Sequence, residues 1–92
     1  MSYLIGKFFR HYKGQHYYVF NVSIHTETQL QVVNYISLYK THELSWGASW
    51  SRPLEMWNEL VDGVPRFVEI TLPIDENEET MIEIRKLFAH IY

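Results

Sequence analysis

His16-Tyr17-Tyr18-Val19-Phe20-Asn21-Val22-Ser23-Ile24-His25 is the segment on which the fold class turns. Its even positions are nearly all apolar, whereas Asn21, Ser23 and His25 are polar, the period-two pattern of a half-buried strand with its even side toward the core. The polar turn Thr26-Glu27-Thr28-Gln29 follows, and residues 30–39 repeat the period. Leu30, Val32, Ile36 and Leu38 fall on one face, and Gln31, Val33, Tyr35, Ser37 and Tyr39 on the other. Two such runs joined by a short polar turn predict an antiparallel pair. The tyrosine-rich second face is either packed under another element or left open as a stacking platform.

Working outward, residues 6–12 form a first strand, and Lys13-Gly14 supplies the turn into the second. Residues 44–51, with two tryptophans, make a fourth strand weakened by Gly47, Ala48 and three serines. Pro53 pre-sets a helical first position, and Leu54, Trp57 and Leu60 at helical spacing predict a short helix over residues 53–60, ended by Asp62-Gly63. Residues 65–72 give a fifth strand. From about Asn77 a C-terminal α-helix is expected, with Asp75 and Glu78 as a capping-box-like start and Arg85, Lys86 and His90 toward its end. Met81, Ile84, Phe88 and Ile91 recur on one face, widened by Leu87, so this stripe must be buried. It either caps the sheet or pairs with the same helix of another copy.

The whole is mainly β (α+β): a small SH3-like five-stranded antiparallel barrel with a short helical turn and a C-terminal helix. An open sheet covered by that helix is the alternative. A single domain spans residues 1–92, with a β core at 1–72 and a helical extension at 75–92.

Ninety-two residues have room for one core, and 47% hydrophobic with 21% charged residues is the composition of an ordinary globular domain. Aromatic residues reach 16%, more than one thin core hides, so some aromatic surface should be exposed. The absence of cysteine excludes disulfides and thiolate metal sites and suits a cytoplasmic setting. No run approaches the roughly 20 apolar residues that span a bilayer, and no signal-peptide pattern opens the chain. The net charge of -3 is unevenly spread: residues 1–54 hold five basic and two acidic side chains, residues 55–92 three basic and nine acidic. The first half is therefore where an anion would be drawn, though not by bulk electrostatics.

Five blocks then stand in order: Arg10-His11-Tyr12-Lys13-Gly14, His25-Thr26-Glu27-Thr28, Tyr35 with Leu38-Tyr39, Trp50-Ser51-Arg52-Pro53-Leu54-Glu55-Met56, and Pro65-Arg66-Phe67. Together, over roughly residues 6–70, they resemble the mostly bacterial domain-of-unknown-function 1653 family. Trp57, where family members often keep a smaller residue, and the acidic helix after Leu72 depart from that pattern. The resemblance implies a stand-alone β domain and no reaction.

Among these positions Gly14 reads as a turn residue, Leu38 and Met56 as core, and Pro53 as a helix start. His11, His25 and Glu27 are polar groups able to serve as ligands or acid-base groups, but nothing supplies the three or four converging ligands of a metal site, and turn capping is the better reading. Arg52 and Arg66, each beside aromatic residues, either pair with Glu55 or Glu69 or fork onto a phosphate or carboxylate. Tyr39 and Trp50 would stack on a planar group. The expected function is a binding module for an anionic or planar ligand (a nucleotide, single-stranded nucleic acid or a peptide) using His11, His25, Glu27, Tyr39, Trp50, Arg52 and Arg66, with no cofactor and no metal. A small hydrolase using His11, His25 and Glu27 with Arg52 lacks any phosphate loop, nucleophile elbow or metal motif to support it. Homo-oligomerisation through the C-terminal helix is the third possibility, conditional on an exposed stripe.

Overall fold

The computed structural model describes residues 2–89. After a 3-10 turn at Ser2–Leu4, the chain forms β1 (Phe8–His11), β2 (His16–Ile24), β3 (Gln31–Ser37), β4 (Ser49–Pro53), α1 (Leu54–Trp57), β5 (Leu60–Val61), β6 (Val64–Pro65), β7 (Phe67–Ile70) and α2 (Ile74–Phe88). Five strands make one antiparallel sheet in the order β4-β3-β2-β1-β7, and β5 and β6 form a separate two-stranded ribbon. β4 and β7 are the two edges of this sheet and no ladder joins them among the described residues, so the expected SH3-like barrel is not closed. The reason lies in burial: both faces of β2 and β3 are covered, which removes the need to curl the sheet onto itself.

The even-side expectation for β2 is corrected by a bulge between Val19 and Asn21 and by packing on both sides. On one face Leu4, Phe9, Val19, Val33, Tyr35, Trp57 and Phe67 form a buried cluster, with Tyr17, Val22 and Leu54 against it. On the other, Phe8, Ile36, Leu72 and Ile84 form a second, joined by Tyr18, Phe20, Leu38, Ile70, Met81 and Phe88. Period two says that alternate residues face opposite ways, but only the layers above and below decide whether one side or both are dry. Met56, read as core, is exposed, and so is Leu30 at the start of the third alternating run.

Trp57 closes the first cluster. Its ring stacks on Phe67 with centroids 3.7 Å apart and planes 6° from parallel, and meets Phe9 and Tyr35 edge-on. Helix α1, one turn long and shorter than expected, exists to deliver that ring. Leu60 belongs to the β5-β6 hairpin, whose turn has Asp62 at φ 51° and Gly63 at φ 80°. Two positive φ values in a two-residue loop are a type I′ turn, the conformation for which Asp-Gly is suited.

Helix α2 begins at Ile74, three residues earlier than expected, behind Pro73, with no side-chain cap. Asp75 and Glu76 lie in its first turn and Arg85 and Lys86 in its last, each charge favoured by the helix dipole. Ile84 is buried, and Met81 and Phe88 pack with it on the Phe8, Tyr18, Phe20, Ile36 face. Within the described residues this part of the stripe packs on the sheet of the same chain, while Leu87 remains exposed. His90 and Ile91 lie outside the described residues. Leu87 leans over Gly47, where a β-carbon would meet its Cδ2 at 2.8 Å, and the φ of 85° is what favours glycine there. The 44–48 stretch is thus a loop fitted under α2, and β4 starts only at Ser49. No helix among the described residues is long and apolar enough to cross a membrane.

Candidate functional site

The first and second blocks each place a histidine at the mouth of a turn. Gly14 N–H donates to His11 C=O, and Lys13 N–H donates to His11 Nδ1 at 3.2 Å. At the β2-β3 turn, Glu27 and Thr28 N–H donate to His25 Nδ1 at 3.1 and 3.3 Å, and Thr28 Oγ1 accepts from Leu30 N–H. A ring nitrogen that accepts a turn amide mimics the side-chain oxygen of an Asx-turn. In both residues the basic nitrogen is engaged as an acceptor, so each neutral ring carries its proton on Nε2. His25 and Glu27 sit at this exposed turn with local partners, and the structure does not bring them to the arginines.

His11 differs in its surroundings. Its ring lies 4.4 Å from Tyr12, 5.2 Å from Phe67 and 6.2 Å from Tyr17, centroid to centroid. Partial burial, then the positive charges of Arg66, Arg52 and Lys13, hold its pKa below the ordinary imidazole value, so it is neutral at pH 7. Both guanidiniums thus act on one imidazole. Arg52 stands opposite Val33, and Trp50 opposite Tyr35, in the β3-β4 register, so both side chains share the face of the first cluster. The Arg52 guanidinium lies 5.8 Å from the Phe67 ring centre, and its Nε–H donates to Tyr35 Oη at 3.4 Å. Neither the expected pair with Glu55 nor any other carboxylate partner of Arg52 occurs among the described residues.

Arg66 lies at the bend before β7, where its C=O accepts from Tyr12 N–H. Its Nη2 lies 3.8 Å from Glu59 Oε1, a partner the sequence reading missed, while Lys7 takes Glu69 at 3.6 Å. Arg66 Nε is buried and has no hydrogen-bond acceptor. A buried N–H without an acceptor costs about 1–3 kcal/mol, and this one is sealed from solvent. Tyr39 completes the patch: its hydroxyl meets Tyr17 Oη at 2.6 Å, and the rings cross edge-on at 5.6 Å. Burial, followed by this hydrogen bond, pushes the Tyr17 phenol well above its ordinary pKa. Trp50 is 39% exposed on the edge strand.

Helix α2 lies on the opposite face of the sheet from Tyr35, so it does not cover this patch. Tyr35 itself is buried beneath Trp57 and Phe67, leaving Tyr39 and Trp50 as the accessible rings. Four of the seven candidate residues therefore lie around one half-exposed cationic and aromatic surface: His11, Tyr39, Arg52 and Arg66. Trp50 borders it from the edge strand, and His25 and Glu27 are elsewhere. Tyr17 and Phe67 also belong to it and were missed, because the bulge at Val19/Asn21 and the bend before β7 are not visible in a period-two pattern. A separate groove of about 610 Å³, lined by Ser45, Trp46, Glu83, Lys86 and Leu87, lies between the 44–48 loop and α2, on the other side of the sheet. Among the described residues no group of three or more His, Asp or Glu side chains is placed to hold a metal ion.

The family model described as protein of unknown function, DUF1653, matches residues 7–69. The crystal structure of a DUF1653 protein from Bordetella bronchiseptica is similar to this chain at 35% sequence identity, over 74% of this chain and 91% of that one, with a TM-score of 0.61. No curated protein matches.

Proposed function

The chain belongs to the DUF1653 family, and from that membership we propose that it is a non-enzymatic binding module whose ligand presents an anionic group on a planar body. The observation that carries this reading is Arg52, free of any carboxylate partner among the described residues, standing 5.8 Å over the ring of Phe67, on which His11 packs at 5.2 Å. Arginine beside an aromatic ring suits such a ligand because the same side chain offers a planar fork to an anion and a flat face to a ring. Tyr39 and Trp50 stand at the border of the patch, where a base or an aromatic side chain can lie. Proton-transfer catalysis by the two family-like histidines is disfavoured, since the basic nitrogen of each already accepts turn amides. A cytoplasmic ligand suits a chain without cysteine.

The test is a two-dimensional amide NMR titration at low salt with a nucleoside monophosphate, a short single-stranded oligonucleotide and an acidic peptide, on wild type and Arg52→Ala. Shifts confined to residues 10–13, 39, 50–52 and 66–67, lost in Arg52→Ala with the fold retained, are expected for one of these probes. Shifts confined to the 25–28 turn, or none with any probe, would overturn the reading.

A further inference from the structure

Among the described residues, the outer side of the edge strand β4 is unpaired. Which of its backbone groups face outward follows from the bonds just before it. Ser37 N–H donates to Ala48 C=O at 3.0 Å, and Gly47 N–H donates to Ser37 C=O at 2.8 Å, a bulge with Gly47 at φ 85°. In an antiparallel ladder the inward bonds recur at every second residue, so Trp50 and Arg52, opposite Tyr35 and Val33, turn their backbone groups to β3. Ser49 and Ser51 turn theirs outward. Pro53 falls on the outward side too, where its missing N–H costs no ladder bond, and its C=O opens α1. Ser49, Trp50 and Ser51 are exposed. The Ser51 hydroxyl donates to Asn34 Oδ1 at 2.9 Å, and Asn34 Nδ2 donates to Ser23 Oγ at 2.8 Å, so a side-chain rung from β2 to β4 holds this edge in register.

Resting on the binding-module reading above, we propose that the occupant of this edge is an extended acidic peptide, added antiparallel to β4 with a carboxylate on Arg52 and an aromatic side chain on Trp50. The outward groups of Ser49 and Ser51 alternate donor and acceptor, which another backbone matches and a phosphate, having acceptors alone, does not. Trp50 and Arg52 share the face of the first cluster, and they fall in the non-hydrogen-bonded pairs of the added strand, where facing side chains approach most closely. Arg52 keeps both Nη groups without an acceptor among the described residues, because its one hydrogen bond uses Nε. A guanidinium end so placed suits a carboxylate. An antiparallel strand passes Arg52 before Trp50, so the peptide reads acid, any residue, aromatic, any residue. A second copy of β4 fits less well, because Ser49–Pro53 contains no acid and leaves each Arg52 without a carboxylate. At the other edge, β7 has no cation, and its Glu69 is already paired to Lys7 at 3.6 Å.

Amide NMR titration and hydrogen exchange on the full chain test this with a blocked peptide carrying Glu-Thr-Tyr-Thr. The controls are the same peptide with Glu and Tyr swapped, the same peptide N-methylated at the threonine between them, and a nucleoside monophosphate. The first peptide should shift the Ser49 and Ser51 amides and slow their hydrogen exchange by about fivefold or more, with exchange at Trp50 and Arg52, already bonded to β3, unchanged. The swap moves the carboxylate away from Arg52 and the N-methyl group removes a ladder bond, so each should weaken binding by about fivefold or more. Ser49→Pro removes an outward N–H without touching Arg52 or Trp50. It should weaken the first peptide and leave the response to the monophosphate as in wild type. A dispersed spectrum establishes that this variant folds, and the N-methylated peptide carries the same test without it. Equal binding of all three peptides, or binding that leaves the Ser49 and Ser51 amides unprotected, would overturn the added strand. Protection of those amides that rises with protein concentration alone would give the edge to a second copy and overturn the peptide. If the monophosphate shifts the Arg52 patch and no peptide binds, the inference falls and the binding module stands; if nothing binds, both fall.

Discussion

At the scale of single residues, Trp57 and His11 show how one side chain serves both core and site. Trp57 is 3% exposed and lies flat on Phe67, the ring over which Arg52 stands. Trp57→Ala is expected to cost about 3–5 kcal/mol, a large share of the roughly 5–15 kcal/mol that holds a domain together. Trp57→Phe, which keeps a ring to stack, should lose less than half of that. Urea unfolding midpoints measure both, and equal losses would show that the ring phenylalanine retains contributes nothing to this cluster. His11 carries a pH dependence of definite sign. Its folded pKa lies below the unfolded value of 6.5, so the unfolded chain binds more protons as pH falls through this range. The contribution of neutral His11 is full above 6.5 and is lost as pH falls through the folded value. His11→Asn keeps an acceptor for the Lys13 amide but does not titrate. The stability difference between about pH 7.5 and about pH 5 should therefore be smaller in the variant than in wild type. An unchanged difference would mean that His11 is not shielded as described.

At the scale of elements, α2 is the piece the family pattern does not include, since the family match ends at residue 69. It nonetheless packs on one face of the sheet: Ile84 is 3% exposed, against Phe8, Ile36 and Leu72. Full burial of one such aliphatic side chain is worth about 1.5–3 kcal/mol, and Met81 and Phe88 add to it. Residues 1–72 alone should therefore bind a hydrophobic dye and aggregate, because removing the helix uncovers Tyr18, Phe20 and Ile36 together. Light scattering and amide dispersion check this. A monomeric, well-dispersed spectrum from that fragment would make α2 an accessory rather than a wall of the core. The helix was legible in the sequence down to its stripe and its charge pattern. Its partner was not, because a stripe states that burial is needed and leaves open what provides it.

On the scale of the whole molecule, local pattern and tertiary packing divided the outcome cleanly. The β2-β3 hairpin, the turns at Gly14 and after His25, and α2 follow from short-range rules, since period, turn chemistry and dipole act within a few residues. Arg52 and Arg66 could be picked out because arginine beside aromatic residues is a local feature. Their partners could not: Arg52 comes to stand over Phe67, and Arg66 beside Glu59, only through the order β4-β3-β2-β1-β7 and the Trp57-Phe67 stack. His25 and Glu27 looked equally chosen in the sequence, yet their hydrogen bonds keep them at a turn. The sequence by itself determined the first three strands, the terminal helix and the family, but not the β5-β6 hairpin or the start of β4. Tertiary structure alone decided that the sheet stays open and that a hydrophobic cluster forms on each of its faces, because closure and burial depend on which layers lie above and below, a property of contacts distant in the chain.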